Sequence, residues 1–305
     1  MKNKIKVILT CIILFSVKQA YSQESVNFIV FGDWGSKGAP IQKNVANQMS
    51  VWAQNYNAKF IISTGDNFYE NGVKSTSDYQ WHATFEDVYT ASSLQVPWYV
   101  VLGNHDYHGN VQAEIDYSNI SSRWKMPSRY YTFSYQVNDS VSALFVVIDT
   151  SPIVISDEEY KQYTENVLKF NNNLQLNWLD SVLTNSTAKW KFVIGHHPVL
   201  SGGYHGGQKE MQQLIKPILE KDNADIYFCG HDHDMQHLID KKFPHVNYFV
   251  SGAGSEPRTC ENTSYTLFHQ GNIGGFLGAA IFQNEMKLVF IDENGEEIYN
   301  TVIKR

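Results

Sequence analysis

The sequence predicts an α/β protein with helices packed on β-sheets, and three observations carry that prediction. Short apolar runs alternate with segments of helical periodicity as far as Cys229. From about Asn247 onward the runs read as strands alone. Nearly every cluster of Asp, Asn and His follows directly on one of these runs.

Taken in order, VNFIVFGD reads as a buried strand and PIQKNVANQMSVWAQ as an amphipathic helix. KFIISTGD, WYVVLGNHD and ALFVVIDT are further strands, rich in branched and aromatic residues and ended by polar or glycine-containing turns. NLQLNWLDSVL is a helix, KWKFVIGHH a strand, KEMQQLIKPILE a helix and ADIYFCGHD a strand. NYFVSGA, FLGAAIFQ, EMKLVFID and EEIYNTVI then suggest a second, largely antiparallel sheet. No Gly/Ser or Pro-rich linker interrupts the chain, so residues 23–305 are expected to form one domain. The polar connection at 151–172 is the least patterned part and is expected to be functional, mobile or simply solvated.

Residues 1–22 carry a basic start, an apolar run VILTCIILFSV and a small-residue site ending at Ser22, the pattern of a cleaved export signal. The apolar run is about half of the roughly 20 residues a membrane span needs. The protein is therefore expected to be secreted or periplasmic, with no membrane partner. Loss of Lys2, Lys4, Lys6 and Lys18 with that segment takes the formal charge from −7 to −11. An acidic body argues against nucleic acid as a partner, and any anionic substrate must be drawn by a local positive centre. After cleavage only Cys229 and Cys260 remain; export permits a disulfide between them, and a buried free thiol at Cys229 is preferred.

Five polar clusters fall where strands end: Gly32–Gly35, Gly65–Tyr69, Gly103–Asp106, Gly195–Pro198 and Gly230–His233. In α/β sheets the crevice beyond the carboxyl ends of the strands gathers side chains distant in sequence. Carboxylate, imidazole and amide oxygen together suit hard or borderline cations, and the set is too large for one. Two ions about 3.5–4 Å apart, bridged by a carboxylate, would clamp a phosphoryl group. Singly, an Asp after a strand is often a helix cap and a lone His is more often packed than ligating. Five clusters in one order are a different matter.

The blocks GDWG, GDNFYENGV, GNHDY, GHHPV, GHDH and SGAG resemble the metallophosphoesterase pattern, and Tyr69, three residues after Asp66, narrows the resemblance to the purple acid phosphatases of the short, tartrate-resistant type. That resemblance implies a four-layer α/β/β/α sandwich with two mixed sheets, and an acid phosphatase that hydrolyses phosphate monoesters with a metal-bound hydroxide as nucleophile. It implies Asp33, Asp66, Tyr69 and His233 as ligands of a ferric ion, and Asp66, Asn104, His196 and His231 as ligands of a divalent ion, Fe, Zn or Mn. His105 and His205, the latter nine positions after His196, match the two outer histidines that contact phosphate or protonate the leaving alkoxide. Small phosphate esters or phosphorylated peptides are the implied substrates, with a monomer as the expected state. His197 departs from the tyrosine usual in the family, and its ring is open to three readings: packing, pocket wall or weak base. Two alternatives share these features: a phosphodiesterase or nucleotidase with the same metal core, and a non-catalytic phosphate- or metal-binding protein that has kept the fold.

Overall fold

The computed structural model describes residues 24–154 and 171–305, so the expected leader and most of the 151–172 connection lie outside the described residues. β1 (Val26–Phe31), β2 (Phe60–Ser63), β3 (Trp98–Val100) and β4 (Trp124–Lys125) run parallel in one sheet. Almost every residue of these strands is buried, as expected where both faces are covered. The second sheet holds β5 (Tyr131–Asn138), β6 (Val141–Val147), β7 (Trp190–Ile194), β8 (Ile226–Cys229), β9 (Met235–Ile239), β10 (Asn247–Ser251) and β11 (Thr266–Gln270), in the order β11-β9-β10-β8-β7-β6-β5.

The C-terminal strands depart from the expectation of a separate antiparallel sheet. β12 (Gly275–Ile281), β13 (Glu285–Asp292) and β14 (Glu297–Lys304) join the first sheet, β12 pairing antiparallel with β1, while β10 lies parallel to β8 in the second. Each sheet is therefore seven-stranded and mixed. The physical reason is the unpaired edge of β1: a strand buried on both faces must satisfy its backbone groups on both sides, and β12 does so.

The sheets face each other through aromatic rings. Phe28 of β1 stacks on Phe60 at 4.8 Å and meets Phe145, Phe192 and Phe228 of the opposite sheet at 5.4, 6.4 and 6.3 Å. Burying one such ring contributes about 2–3 kcal/mol. Helices cover the outside. α1 (Pro40–Tyr56) starts with Pro40 in its first turn, buries Val45, Met49 and Trp52, and ends at Asn57 in the left-handed region, φ 52°. It lies so close to β12 that a Cβ on Gly278 would stand 2.5 Å from the Trp52 ring. α2 (Val111–Tyr117) is capped by the Asn110 side chain and α3 (Asn172–Asn185) by that of Asn171. α4 (Lys216–Lys221) continues a wider helical turn at Met211–Ile215. No helix of the described residues is long and apolar enough to cross a membrane. Cys229, buried, and Cys260 are free thiols.

Candidate metal centre

Five strands, β1, β2, β3, β7 and β8, end at one edge of the sandwich, and the loops leaving them carry the five polar clusters. Three residues there adopt the left-handed backbone that non-glycine residues seldom use, Asp33 (φ 58°), Asp66 (φ 52°) and His231 (φ 69°). The loops cross at van der Waals limits. A Cβ on Gly103 would lie 2.1 Å from Asp66 Oδ1, and one on Gly230 would lie 2.3 Å from Asp33 Oδ2. The SGAG turn packs into the same crossing, since a Cβ on Gly252 would lie 2.2 Å from the Asp232 carbonyl.

All seven residues expected to ligate come together here. Tyr69 Oη is 3.3 Å from Asp33 Oδ1, 3.2 Å from Asp66 Oδ2 and 3.1 Å from His233 Nε2. Asn104 Oδ1 is 3.0 Å from both His196 Nε2 and His231 Nδ1, and those two nitrogens are 3.2 Å apart. Asp66 belongs to both sets, because its Oδ2 is also 3.5 Å from His196 Nε2. Backbone amides fix the carboxylates: His231 N–H donates to Asp33 and His105 N–H to Asp66 Oδ1, the latter at 2.9 Å. Carbonyls fix the imidazoles, since His196 Nδ1–H donates to Thr64 O at 2.9 Å and His233 Nδ1–H to Glu256 O at 2.7 Å. Each of those rings therefore turns a bare Nε2 toward the other donors, the arrangement that ligating histidines need.

The electrostatics fit bound cations. Burial, with Asp66 beside it, pushes the Asp33 carboxyl well above its ordinary range. Burial opposes ionisation of Asp66 too, but His196 and His105 overcome it and hold that carboxyl far down. Burial and the Asp66 and Asp33 charges keep the Tyr69 phenol well up, so only a strongly polarising partner would make it a phenolate. Burial and then His197 hold His231 well below the usual imidazole range, and its Nε2 is buried with no hydrogen-bond partner. Acceptors crowded this closely are matched by positive charge at their centre, and two groups of such atoms, Asp33/Asp66/His233 and His196/His197/His231, each lie within 4.8 Å of one another.

The two outer histidines flank the centre from opposite sides. The His105 ring stands edge-on to Tyr69 at 4.7 Å, its Nδ1–H donating to Glu70 O at 2.7 Å. The His205 ring lies 4.2 Å from that of His231, and its backbone N–H donates to Asp232 Oδ1 at 2.7 Å. Both are half-buried. His197 is wholly buried, packed 4.4 Å from His231 and 4.9 Å from His196. Thr150 Oγ1 accepts the backbone N–H groups of His196 and His197, so its hydroxyl hydrogen goes to His197 Nδ1 at 2.7 Å. Burial and His196 keep this ring well below its ordinary pKa. It is a neutral wall behind two ligand positions, which joins the packing and pocket-wall readings and leaves the base reading without support.

Two supports carried weaker sequence signals. Asp106 accepts N–H groups from Gly103, Asn67 and Phe68 and so ties the Asp66 turn to the Asn104 turn; burial and Asp66 raise its carboxyl to about 7. Thr150 ends the β6 run, where its position among the strand ends was the only clue.

The chain matches the family model of calcineurin-like phosphoesterases over residues 26–235. It is 37% identical over 290 residues to purple acid phosphatase 4 of Arabidopsis thaliana, covering 90% of this chain and 82% of that protein. It is 35% identical over 300 residues to human tartrate-resistant acid phosphatase type 5, covering 92% and 91%. Among solved structures it is similar to GAP50, the anchor in the inner membrane complex of Plasmodium, with TM-score 0.78 and 26% identity over 92% of this chain and 89% of that one.

Proposed function

We propose, from the premise that this chain belongs to the calcineurin-like phosphoesterases and within them to the purple acid phosphatases, that its seven converging donors hold an iron(III) and a divalent ion. The protein is an acid phosphatase, a metal-dependent hydrolase of phosphate monoesters. One observation carries the assignment of the site: Tyr69 Oη within 3.3 Å of Asp33, Asp66 and His233 at once. A phenol among two carboxylates and an imidazole is a hard, anion-rich set suited to a trivalent ion, and Asn104 with two imidazoles suits a divalent one. Fe, Zn and Mn are the candidates for the second position.

When bound, the metal pair supplies positive charge for the phosphoryl oxygens and acidifies water. The chain's own residues do the rest. Asp66 sits between the halves and sets their separation, while the Thr64 and Glu256 carbonyls hold His196 and His233 in the ligating tautomer. Asn104 adds a ligand without adding negative charge against an anionic substrate. His105 and His205 stand beside the centre, where an imidazolium donates to phosphate oxygens and gives a proton to the departing alkoxide. His205 is the stronger candidate for the proton, because its ring covers the half where His231 leaves Nε2 unpartnered.

The fold alone also serves an anchor protein in Plasmodium; the intact donor set distinguishes the enzymatic reading. Export with removal of residues 1–22 completes the proposal, and mass spectrometry of the mature N-terminus checks it. The central test is a visible spectrum, metal analysis and phosphatase assay on one sample of wild type and Tyr69→Phe. A broad visible band lost in the variant, with about two metals per chain, supports the ferric assignment. A colourless, active two-metal protein would leave the phosphatase in place and remove the iron–tyrosine claim.

A further inference from the structure

Arg258 stands at the rim of the centre with its backbone held from both sides. Its N–H donates to His233 O at 2.7 Å, and its carbonyl accepts from Asn272 N–H at 2.9 Å. A Cβ on Gly271 would lie 2.4 Å from that carbonyl, so the loop is closely packed. The side chain, by contrast, is exposed and forms no ion pair with any carboxylate of the described residues. Its Nη1 lies 3.5 Å from His205 Nε2, and its Cζ lies 5.9 Å from the centre of the Tyr204 ring. Tyr204 is itself 77% exposed and edge-on to His205 at 5.0 Å. The nearest acid on the same loop, Glu256, is occupied by Ser36 Oγ at 3.0 Å.

In a chain of formal charge −7, a guanidinium with no carboxylate partner among the described residues, one imidazole out from the centre, is a local attractor for anions. His205 is the residue assigned above to the departing alkoxide, so Arg258, 3.5 Å from its ring, would lie on the side of the leaving group. We propose that Arg258, backed by Tyr204, is a specificity residue that binds a second anionic group on the leaving alcohol, selecting phosphate monoesters with a carboxylate or further phosphate over those with a neutral tail. Arg suits this role because its planar fork meets a carboxylate or phosphate with two donors, and the exposed Tyr204 ring offers a flat face to the organic part. The proposal rests on the acid phosphatase reading.

The test compares phenyl phosphate with 4-carboxyphenyl phosphate on metal-loaded wild type, Arg258→Gln and Arg258→Lys. Arg258→Gln is expected to lower kcat/KM for the carboxylated ester roughly five- to tenfold, through KM, and for phenyl phosphate about twofold or less. Arg258→Lys should recover part of the difference, as charge without the fork would. Calorimetric titration of the two matching phosphonates, which cannot turn over, should show the same ratio in Kd. An equal fall on both esters, or equal loss of affinity for both phosphonates, overturns the proposal and leaves the phosphatase assignment intact. Hydrolysis of neither ester by the metal-loaded wild type overturns both.

Discussion

The two halves of the centre are built alike and charged differently. In each, a carbonyl from another loop turns an imidazole Nε2 inward, Glu256 O for His233 and Thr64 O for His196. In each, an outer histidine lies against a ligand ring, His105 on Tyr69 and His205 on His231. The first half, however, gathers Asp33, Asp66 and Tyr69, while the second has Asn104 and two histidines and only a share of Asp66. Geometry that similar cannot choose between ions, so the choice rests on charge and ligand hardness.

Removing the shared member should break both halves together. Asp66→Asn is expected to lower kcat/KM roughly 10³-fold or more and to leave fewer than one metal per chain by elemental analysis. Retention of two metals would show that Asp66 is not the bridge. The halves separate next: His196→Ala should lose the divalent ion and keep the visible band, and His233→Ala should weaken the band, each with a fall of about 10²-fold or more in activity. The outer histidines sharpen the contrast further. His205→Asn should cost about 10²-fold with alkyl phosphates and far less with a nitrophenyl ester, whose leaving group needs no proton. Equal losses on both would mean that His205 only binds.

The smallest expected effect concerns Asp149, which accepts from the Tyr107 hydroxyl just before Thr150, the residue that holds the His196 and His197 amides. Burial raises its carboxyl to about 7, partly offset by the Tyr107 bond and Arg129. Its folded form therefore favours the proton: the stability it brings is fully present below the ordinary carboxylate range and is lost as pH rises through about 7. Asp149→Asn should flatten that dependence, gaining on wild type by the order of 1 kcal/mol between pH 5 and pH 8 in denaturant titrations.

Most of this centre was legible because its side chains follow strands, and strands are legible from apolar runs. Gly32-Asp33, Gly65-Asp66, Gly103-Asn104, Gly195-His196 and Gly230-His231 all stand at strand ends, and topology alone brings strand ends to one edge. What sequence could not supply was pairing. β12–β14 read as members of a second sheet, yet they complete the first, because the pattern of a strand records which faces it buries and not which neighbour it bonds. The same limit hid Arg258, which follows no strand and acquires its place through backbone hydrogen bonds with His233 and Asn272. Asp106 was visible as one acid in a cluster, but its task of tying two turns together depends on three amides from two loops.

The left-handed backbone at Asp33, Asp66 and His231 bears on how the enzyme matures. The Asp33 and Asp66 turns each leave a core strand and are crossed at once by a glycine, Gly230 against Asp33 and Gly103 against Asp66, so the sandwich itself presses on their shape. The polypeptide should thus finish folding as an empty vessel and acquire its metals afterwards. Loading is then a separate event, governed by which ions are at hand once the sandwich has closed.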